Sequence, residues 1–82
     1  MYRAKIDVTL KKSVLDPQGK TVLSALKSFG FSEPTDMRVG KFFDITLDVQ
    51  NSEAAEKSVH AMCEKLLVNS VIEEYSFTVE EI

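Results

Sequence analysis

Hydrophobic and polar residues alternate strictly over residues 2–10 of the chain. The apolar members of this stretch are Tyr2, Ala4, Ile6, Val8 and Leu10, with polar side chains between them. The alternation returns at Phe43, Ile45, Leu47 and Val49, which are interleaved with Phe42, Asp44, Thr46 and Asp48. A period of two residues is typical of a β-strand with one buried face. The pattern therefore predicts two long strands, over residues 2–10 and 42–49.

A first helix is predicted between Asp16 and Gly30. Its apolar stripe, at helical spacing, consists of Val22, Leu26 and Phe29. Asp16 can accept hydrogen bonds as the N-cap, and Pro17 fits the first helical position. Gly30 provides a residue that easily adopts the left-handed conformation at a helix end, so we expect Phe31 to fold back onto Leu26.

A second helix is predicted from an N-cap at Asn51-Ser52 to Asn69. Its expected apolar stripe is Ala55, Val59, Met62 and Leu66. Two shorter strands are also predicted. One lies around Met37 and Val39 and ends in a tight reversal at Gly40-Lys41. The other contains Tyr75, Phe77 and Val79 and is followed by a fraying tail over residues 80–82.

The predicted order is strand, helix, strand, strand, helix, strand, in one domain over residues 1–82. This order is typical of the α+β class and of the ferredoxin-like split βαβ fold. We expect a four-stranded antiparallel sheet with both helices on one face, made by Ile6, Val8, Ile45 and Leu47. The first and third strands, which alternate best, should lie at its centre.

Composition excludes several classes of function. The 82 residues carry a net charge of -3, which disfavours nucleic-acid binding because that needs a cationic surface. No apolar run approaches the ~18 residues of a membrane span. The opening residues lack the apolar centre of a signal peptide, and Cys63 has no internal disulfide partner. These features predict a cytoplasmic protein.

The residues reveal no catalytic, cofactor-binding or metal site. The three glycines lack phosphate-loop spacing, and a single His60 and a single Cys63 make a poor metal site or nucleophile pair. Asp44 and Asp48 lie about 13 Å apart along a strand, too far to share a reaction centre, and a salt-bridged outer sheet face explains them. Gly19 in the first helical turn indicates either close packing on the sheet or close approach by a partner or ligand.

Three functions therefore remain possible for this domain: an assembly subunit, a small-molecule-binding regulatory domain of ferredoxin-like fold, or a small enzyme. An enzyme needs an acid, base or nucleophile in a pocket, and the sequence offers none. An assembly role is the stronger reading, because a domain of this size gains stability from a partner surface.

Five short stretches, taken in order, resemble the PurS family, the small subunit of phosphoribosylformylglycinamidine synthase. They are residues 14–20 (VLDPQGK), 28–31 (SFGF), 37–41 (MRVGK), 62–67 (MCEKLL) and 71–75 (VIEEY). The chain departs from the family at Ser70, where proline is usual, and at Glu74, where aspartate is usual. Neither change affects a functional group.

The resemblance implies a non-catalytic adaptor in a complex that converts formylglycinamide ribonucleotide to its amidine with ATP and glutamine. It implies a large synthetase subunit, which binds ATP and magnesium, a glutaminase subunit, and self-association as a homodimer or dimer of dimers. The isolated chain should be inactive, and it should join the two subunits and support ammonia transfer. Gln18, Arg38 and Lys41 are the expected partner contacts.

Overall fold

The computed structural model describes residues 1–82 and contains three strands and two α-helices. In chain order these are β1 (Tyr2–Leu10), α1 (Pro17–Ser28), β2 (Gly40–Leu47), α2 (Ser52–Met62) and β3 (Glu73–Glu81). A π-helical turn over Cys63–Leu67 continues α2. The α+β class and both predicted helices are confirmed.

The sheet is antiparallel, and its strand order is β2-β1-β3. In the register, Ile6 lies between Phe43 of β2 and Phe77 of β3, and Ala4 lies between Ile45 and Val79. β1 is central, as expected from its alternation. The second strong alternator is β2, which is an edge strand, so its predicted central place is wrong.

A small apolar core lies between this sheet and α2. Its buried members are Ala4, Ile6, Val8, Leu47, Ala55, Val59, Cys63 and Val68. Each strand supplies alternate residues to the core, because side chains along a strand point to opposite faces. One helix covers the face, so flanking residues such as Phe43 and Ile45 are only half-buried.

The four-stranded sheet is a wrong prediction, because residues 37–39 form no strand. Side chains satisfy the backbone of this segment: Met37 N–H donates to Asp36, and Val39 N–H donates to Asp16, both at 2.9 Å. Gly40 forms no hairpin turn and instead pairs with Thr9 at the start of β2. The backbone therefore lacks the ladder bonds that a fourth strand would need.

The C-terminal end of the sheet also differs from expectation. β3 extends to Glu81, which pairs with Tyr2, whereas a fraying tail was predicted from residue 80. Ile82 N–H donates to the Met1 carbonyl at 3.1 Å. These main-chain hydrogen bonds hold the C-terminus beside the N-terminus.

The prediction that both helices pack on one sheet face is also wrong. Only α2 and the π turn contribute helical residues to the core on the sheet, and no residue of α1 packs against it. The helix itself is built as predicted: Asp16 is its N-cap, Gly30 has a φ of 96°, and Phe31 N–H donates to the Leu26 carbonyl at 3.1 Å. We call residues 11–39, which contain α1 and its two connections, the arm.

The π turn changes which face of the second helix is buried. Val68 N–H donates to the Cys63 carbonyl at 3.1 Å, an i→i+5 bond that widens the helix by one residue. Cys63 and Val68 consequently enter the core, while Leu66 is 83% exposed. The regular stripe that included Leu66 and left Cys63 at its edge was therefore wrong at this end.

The core assignment predicts an asymmetric response to substitution on β1. Ile6→Ala should lower the free energy of unfolding by roughly 2–5 kcal/mol, because it leaves a cavity among fully buried neighbours. Asp7→Ala, on the exposed face of the same strand, should change it by less than about 0.5 kcal/mol. Urea unfolding followed by circular dichroism measures both, and equal effects would contradict the assigned face.

Candidate partner interface at the base of the arm

Asp16 fixes the geometry at the base of the arm. It is the one buried charged or polar residue, at 6% exposure. One carboxylate oxygen accepts from Gly19 N–H in the first turn of α1, and the other accepts from Val39 N–H, both at 2.9 Å. The bond from Val39, followed by that from Gly19, holds the pKa of Asp16 below its ordinary value of 3.8. One side chain thus joins the start of α1 to the start of β2.

Gly19 lets the helix approach the returning chain at this junction. A Cβ added at Gly19 would lie 2.5 Å from the Met37 carbonyl oxygen and 2.9 Å from the Asp16 carboxylate. Such a contact cannot form without a shift of the backbone. Close packing of Gly19 on the sheet, one of the two alternatives that the sequence left open, is therefore wrong: the close approach is to the backbone of residue 37 in the same chain.

Arg38, a predicted partner contact, is held by the chain itself. Its guanidinium donates to the Val14 carbonyl at 2.8 Å and to the Lys12 carbonyl at 2.7 Å. These carbonyls belong to the segment that enters α1, so Arg38 ties the two connections of the arm together. A partner would meet a guanidinium already fixed in one orientation.

Lys41, the second predicted contact, forms an ion pair with Glu73 at 3.2 Å. Glu73 also accepts from Asn69 N–H at 2.8 Å, and this bond is the main reason that its pKa is lowered; the Lys41 charge acts in the same direction. Lys41 is half-exposed, whereas the Glu73 side chain is mostly covered. The pair joins the start of β2 to the start of β3.

Gln18, the third predicted contact, is exposed in the first turn of α1. Gln18 and Lys41 line one cleft, with a volume of about 240 Å³. Arg38 lines a second cleft of about 280 Å³, together with Lys12 and Lys20. Asp16 borders both clefts. The structure therefore brings the three predicted residues together around one carboxylate.

The outer face of the sheet carries the ion pairs that the sequence predicted there. Arg3 donates to both carboxylate oxygens of Asp44, at 2.8 and 2.6 Å, and its guanidinium lowers the pKa of Asp44. Lys5 lies 3.7 Å from Glu80. Because these side chains are exposed to water, the pairs contribute little to stability. Phe42, at 57% exposure, is the large apolar side chain of this face.

His60 and Cys63 do not form a catalytic pair. The Nδ1 of His60 lies 2.7 Å from the Tyr75 hydroxyl, and Tyr75 stacks on Phe77. Cys63 is fully buried in the core, and this burial raises the pKa of its thiol. A thiol held in its protonated form and covered by apolar residues is a poor nucleophile.

Two further features of the chain complete the description. No three His, Cys, Asp or Glu side chains lie close enough together to hold a metal ion. Neither helix has the length and apolar character of a membrane-spanning segment. The fold and the base of the arm together define a small α+β domain whose charged residues order its own backbone.

Comparison with known proteins identifies the family of this domain. The family model described as PurS, phosphoribosylformylglycinamidine (FGAM) synthase, matches residues 3–81. The chain belongs to the PurS family of phosphoribosylformylglycinamidine synthase subunits. The resemblance found in the five sequence stretches is confirmed over nearly the whole length.

Individual relatives match the chain from end to end. The PurS subunit of Bacillus subtilis is 46% identical over 82 residues, which cover 100% of this chain and 96% of the relative. The PurS subunit of Methanocaldococcus jannaschii is 40% identical, covering 100% of this chain and 99% of the relative. Both carry the name phosphoribosylformylglycinamidine synthase subunit PurS.

Solved structures of PurS subunits share the fold of this chain. The crystal structure of M. jannaschii PurS matches with a TM-score of 0.91 and 40% identity, over 100% of this chain and 99% of that one. A chain of the PurLQS structure from Thermotoga maritima matches with a TM-score of 0.90 and 33% identity, over 96% of each chain.

The Asp16 junction predicts a specific dependence of stability on pH. Because folding lowers the pKa of this carboxyl, the unfolded chain binds the proton more tightly. The stabilisation is present above the unfolded value of about 3.8, and it is lost as the pH falls through the lower folded value. Asp16→Ala should lower the urea midpoint at pH 7 and flatten its fall below pH 4.

The control for this prediction is Asp48→Ala, at an exposed carboxylate beyond the end of β2. It should leave both the midpoint at pH 7 and the acid profile close to those of the wild-type chain. Urea unfolding measured from pH 7 down to pH 2.5 gives both quantities. An Asp16→Ala profile that runs parallel to that of the wild type would contradict the assignment.

Proposed function

We propose that this chain is the non-catalytic adaptor of a phosphoribosylformylglycinamidine synthase complex in the cytoplasm. It joins the large synthetase subunit to the glutaminase subunit and supports the transfer of ammonia between them. The large subunit binds the ATP and magnesium that the ligation of nitrogen to the nucleotide requires. The adaptor contributes surfaces and no reacting group.

The observation that carries this proposal is the end-to-end match to a chain of the T. maritima PurLQS structure. The match covers the arm as well as the sheet, so both surfaces are parts of the family fold. The side-chain chemistry supports the same reading. Asp16 and Glu73 border the cleft that Gln18 and Lys41 line, but both carboxylates have lowered pKa values because they accept hydrogen bonds from the chain's own backbone N–H groups, which makes them poor proton donors and bases.

A small-molecule regulatory role is less well supported. The two clefts beside Asp16 have volumes of about 240 and 280 Å³, below the roughly 300–1,000 Å³ usual for ligand sites. A groove of about 390 Å³ between α2 and β2 lies within that range, but its lining is almost entirely apolar and lacks the converging polar groups that orient a ligand. Arg38 and Lys41 at these clefts are already paired within the chain. The regulatory alternative would be favoured by calorimetry that gave a low-micromolar dissociation constant for ATP, an amino acid or a purine nucleotide.

Reconstitution of the complex tests the adaptor role. With the synthetase and glutaminase subunits present, omission of this chain should reduce the glutamine-dependent rate of amidine formation at least about tenfold. Added ammonia should restore much of the rate, because it bypasses delivery from the glutaminase. An unchanged glutamine-dependent rate, with no complex on a sizing column, would exclude the adaptor role.

Gln18 offers the cleanest test of the proposed contact surface at the base of the arm. Among the three candidate contacts, Arg38 and Lys41 also hold the chain together, whereas Gln18 is exposed in the first turn of α1. Gln18→Arg should weaken binding to the other subunits by roughly tenfold, because an uncompensated charge is buried on association.

The matched control is Gln50→Arg, at an exposed glutamine in the loop before α2. Neither variant should change the urea midpoint, since neither side chain is buried. Binding of each variant to the paired subunits is measured by surface plasmon resonance. Equal affinities for the two variants would exclude Gln18 from the contact surface.

A further inference from the structure

Electric charge is distributed unevenly along this chain. The arm carries five Lys and Arg side chains against three acids, so its net charge is +2, although the whole chain carries -3. The rest of the chain therefore carries -5, with ten acids against five cations. The ion pairs of the structure all use cations outside the arm, namely Arg3, Lys5 and Lys41. The cations of the arm thus keep their charge without an anionic partner.

Three of these cations meet at one place. Lys12, Lys20 and Arg38 line the cleft of about 280 Å³ at the base of the arm, which we call the basic cleft. The carboxylates of Asp16 and Asp36 line it as well. Both carboxylates accept hydrogen bonds from backbone N–H groups, and neither forms an ion pair with a cation of the cleft. The basic cleft therefore has one more cation than it has carboxylates.

Arg38 is positioned to bind a further acceptor. Its hydrogen bonds go to the neutral carbonyls of Lys12 and Val14, so they leave its charge uncompensated. A guanidinium has five N–H donors, and three of them remain free after these two bonds. Because the group is already held in one orientation, it loses little conformational entropy when it binds. Its planar arrangement of donors suits a carboxylate in particular.

Lys20 lies where the helix itself favours an acid. The first turn of α1 contains no acidic residue, and Lys20 directly follows Gly19 near the start of the helix. The partial positive charge of a helix N-terminus stabilises Asp or Glu there and disfavours a cation. Departures from such local rules are typical of functional positions. The lysine and the helix N-terminus together raise the positive potential of the basic cleft.

We propose that the basic cleft receives the carboxylate of an Asp or Glu side chain from one of the two larger subunits of the complex. This inference rests on the adaptor function proposed above, and it specifies the chemistry of one contact. A carboxylate carries a single negative charge, which matches the excess of one cation in the cleft. A phosphate group carries about -1.5 to -2 at pH 7 and matches it less well.

The charge distribution also gives the contact a direction. An acidic surface attracts the arm and repels the rest of the chain, whose net charge is negative. The neighbouring cleft, which Gln18 and Lys41 line, has no excess of cations, because Lys41 is paired with Glu73 and the Asp16 carboxylate borders that cleft too. An acidic side chain is therefore attracted to one side of Asp16 only.

Charge reversal at Lys20 tests the contact. Lys20→Glu should raise the dissociation constant for the paired synthetase and glutaminase subunits at least about tenfold, because two like charges then face each other. The matched control is Lys57→Glu, which changes the net charge equally at an exposed site of α2 and should bind like the wild-type chain. Surface plasmon resonance at low and high salt measures both, and only Lys20→Glu should lose part of the salt dependence.

The stability of the isolated chain separates this contact from a structural role. Lys20→Glu places an acid near the N-terminus of α1, so the urea midpoint should stay equal or rise. A lower midpoint together with weaker binding would show that Lys20 supports the arm, and this would overturn the proposal.

A carbodiimide cross-linker identifies the partner group. It activates a carboxylate, and a lysine amine in contact with that carboxylate then forms an amide bond, with the net loss of water. We expect Lys20 or Lys12 to couple to an Asp or Glu of a larger subunit, as identified by mass spectrometry. Lys20→Arg should keep the wild-type affinity and lose the cross-link at residue 20. Replacement of the identified acid by Lys should restore the binding of Lys20→Glu.

Different results separate the ways in which the proposal can fail. An equal loss of affinity in Lys57→Glu, a cross-link only to a second copy of this chain, or saturable binding of inorganic phosphate that Lys20→Glu abolishes would each overturn it. Wild-type affinity and full glutamine-dependent turnover of Lys20→Glu would contradict this inference alone. If the wild-type chain forms no complex with the larger subunits, the adaptor function fails and the inference fails with it.

Discussion

The shape of this molecule depends on the two hydrogen bonds accepted by one buried carboxylate. Asp16 joins the N-terminus of α1 to the backbone that leads into β2. The bond from Val39 satisfies an N–H group that would otherwise belong to a strand ladder, so residues 37–39 run beside the helix instead of joining the sheet. The same constraint sets the direction in which α1 leaves the domain. The three-stranded sheet and the projecting arm therefore both follow from the Asp16 junction, which the bonds from Arg38 to the Lys12 and Val14 carbonyls reinforce.

The sequence predicted the parts of the fold that depend on local chemistry. The alternation in β1, the caps of α1 at Asp16 and Gly30, and the Asn51 cap of α2 all act over a few residues, and the structure confirms them. The wrong predictions concern contacts between residues that lie far apart in the chain. Nothing local distinguishes an Asp16 that caps a helix from one that also binds Val39, 23 residues later. The π turn likewise depends on how residues 63–68 pack against the core. A helical wheel, which assumes a regular α-helix, cannot predict it.

For the candidate interface, too, the sequence predicted the residues but not their long-range contacts. The sequence identified Gln18, Arg38 and Lys41 by their exposure and by resemblance, and the structure places them around Asp16. The sequence did not reveal that Arg38 donates to two carbonyls or that Lys41 is paired with Glu73. Those contacts join segments more than twenty residues apart. The family, in contrast, could be recognised from sequence because its five stretches occur in order and need no tertiary information.

A chain that buries ten of its 82 residues cannot owe its arrangement to a large core. The hydrogen bonds to Asp16 at the base of the arm hold part of that arrangement in place, because bonds to a charged acceptor fix direction as well as distance. Such ordering suits a subunit of a complex, because the base of the arm is already fixed by its own hydrogen bonds and less conformational entropy is lost there on association. The small core and the pre-ordered arm are thus linked. The first leaves much of the chain's surface uncovered, and the second reduces the ordering that association requires.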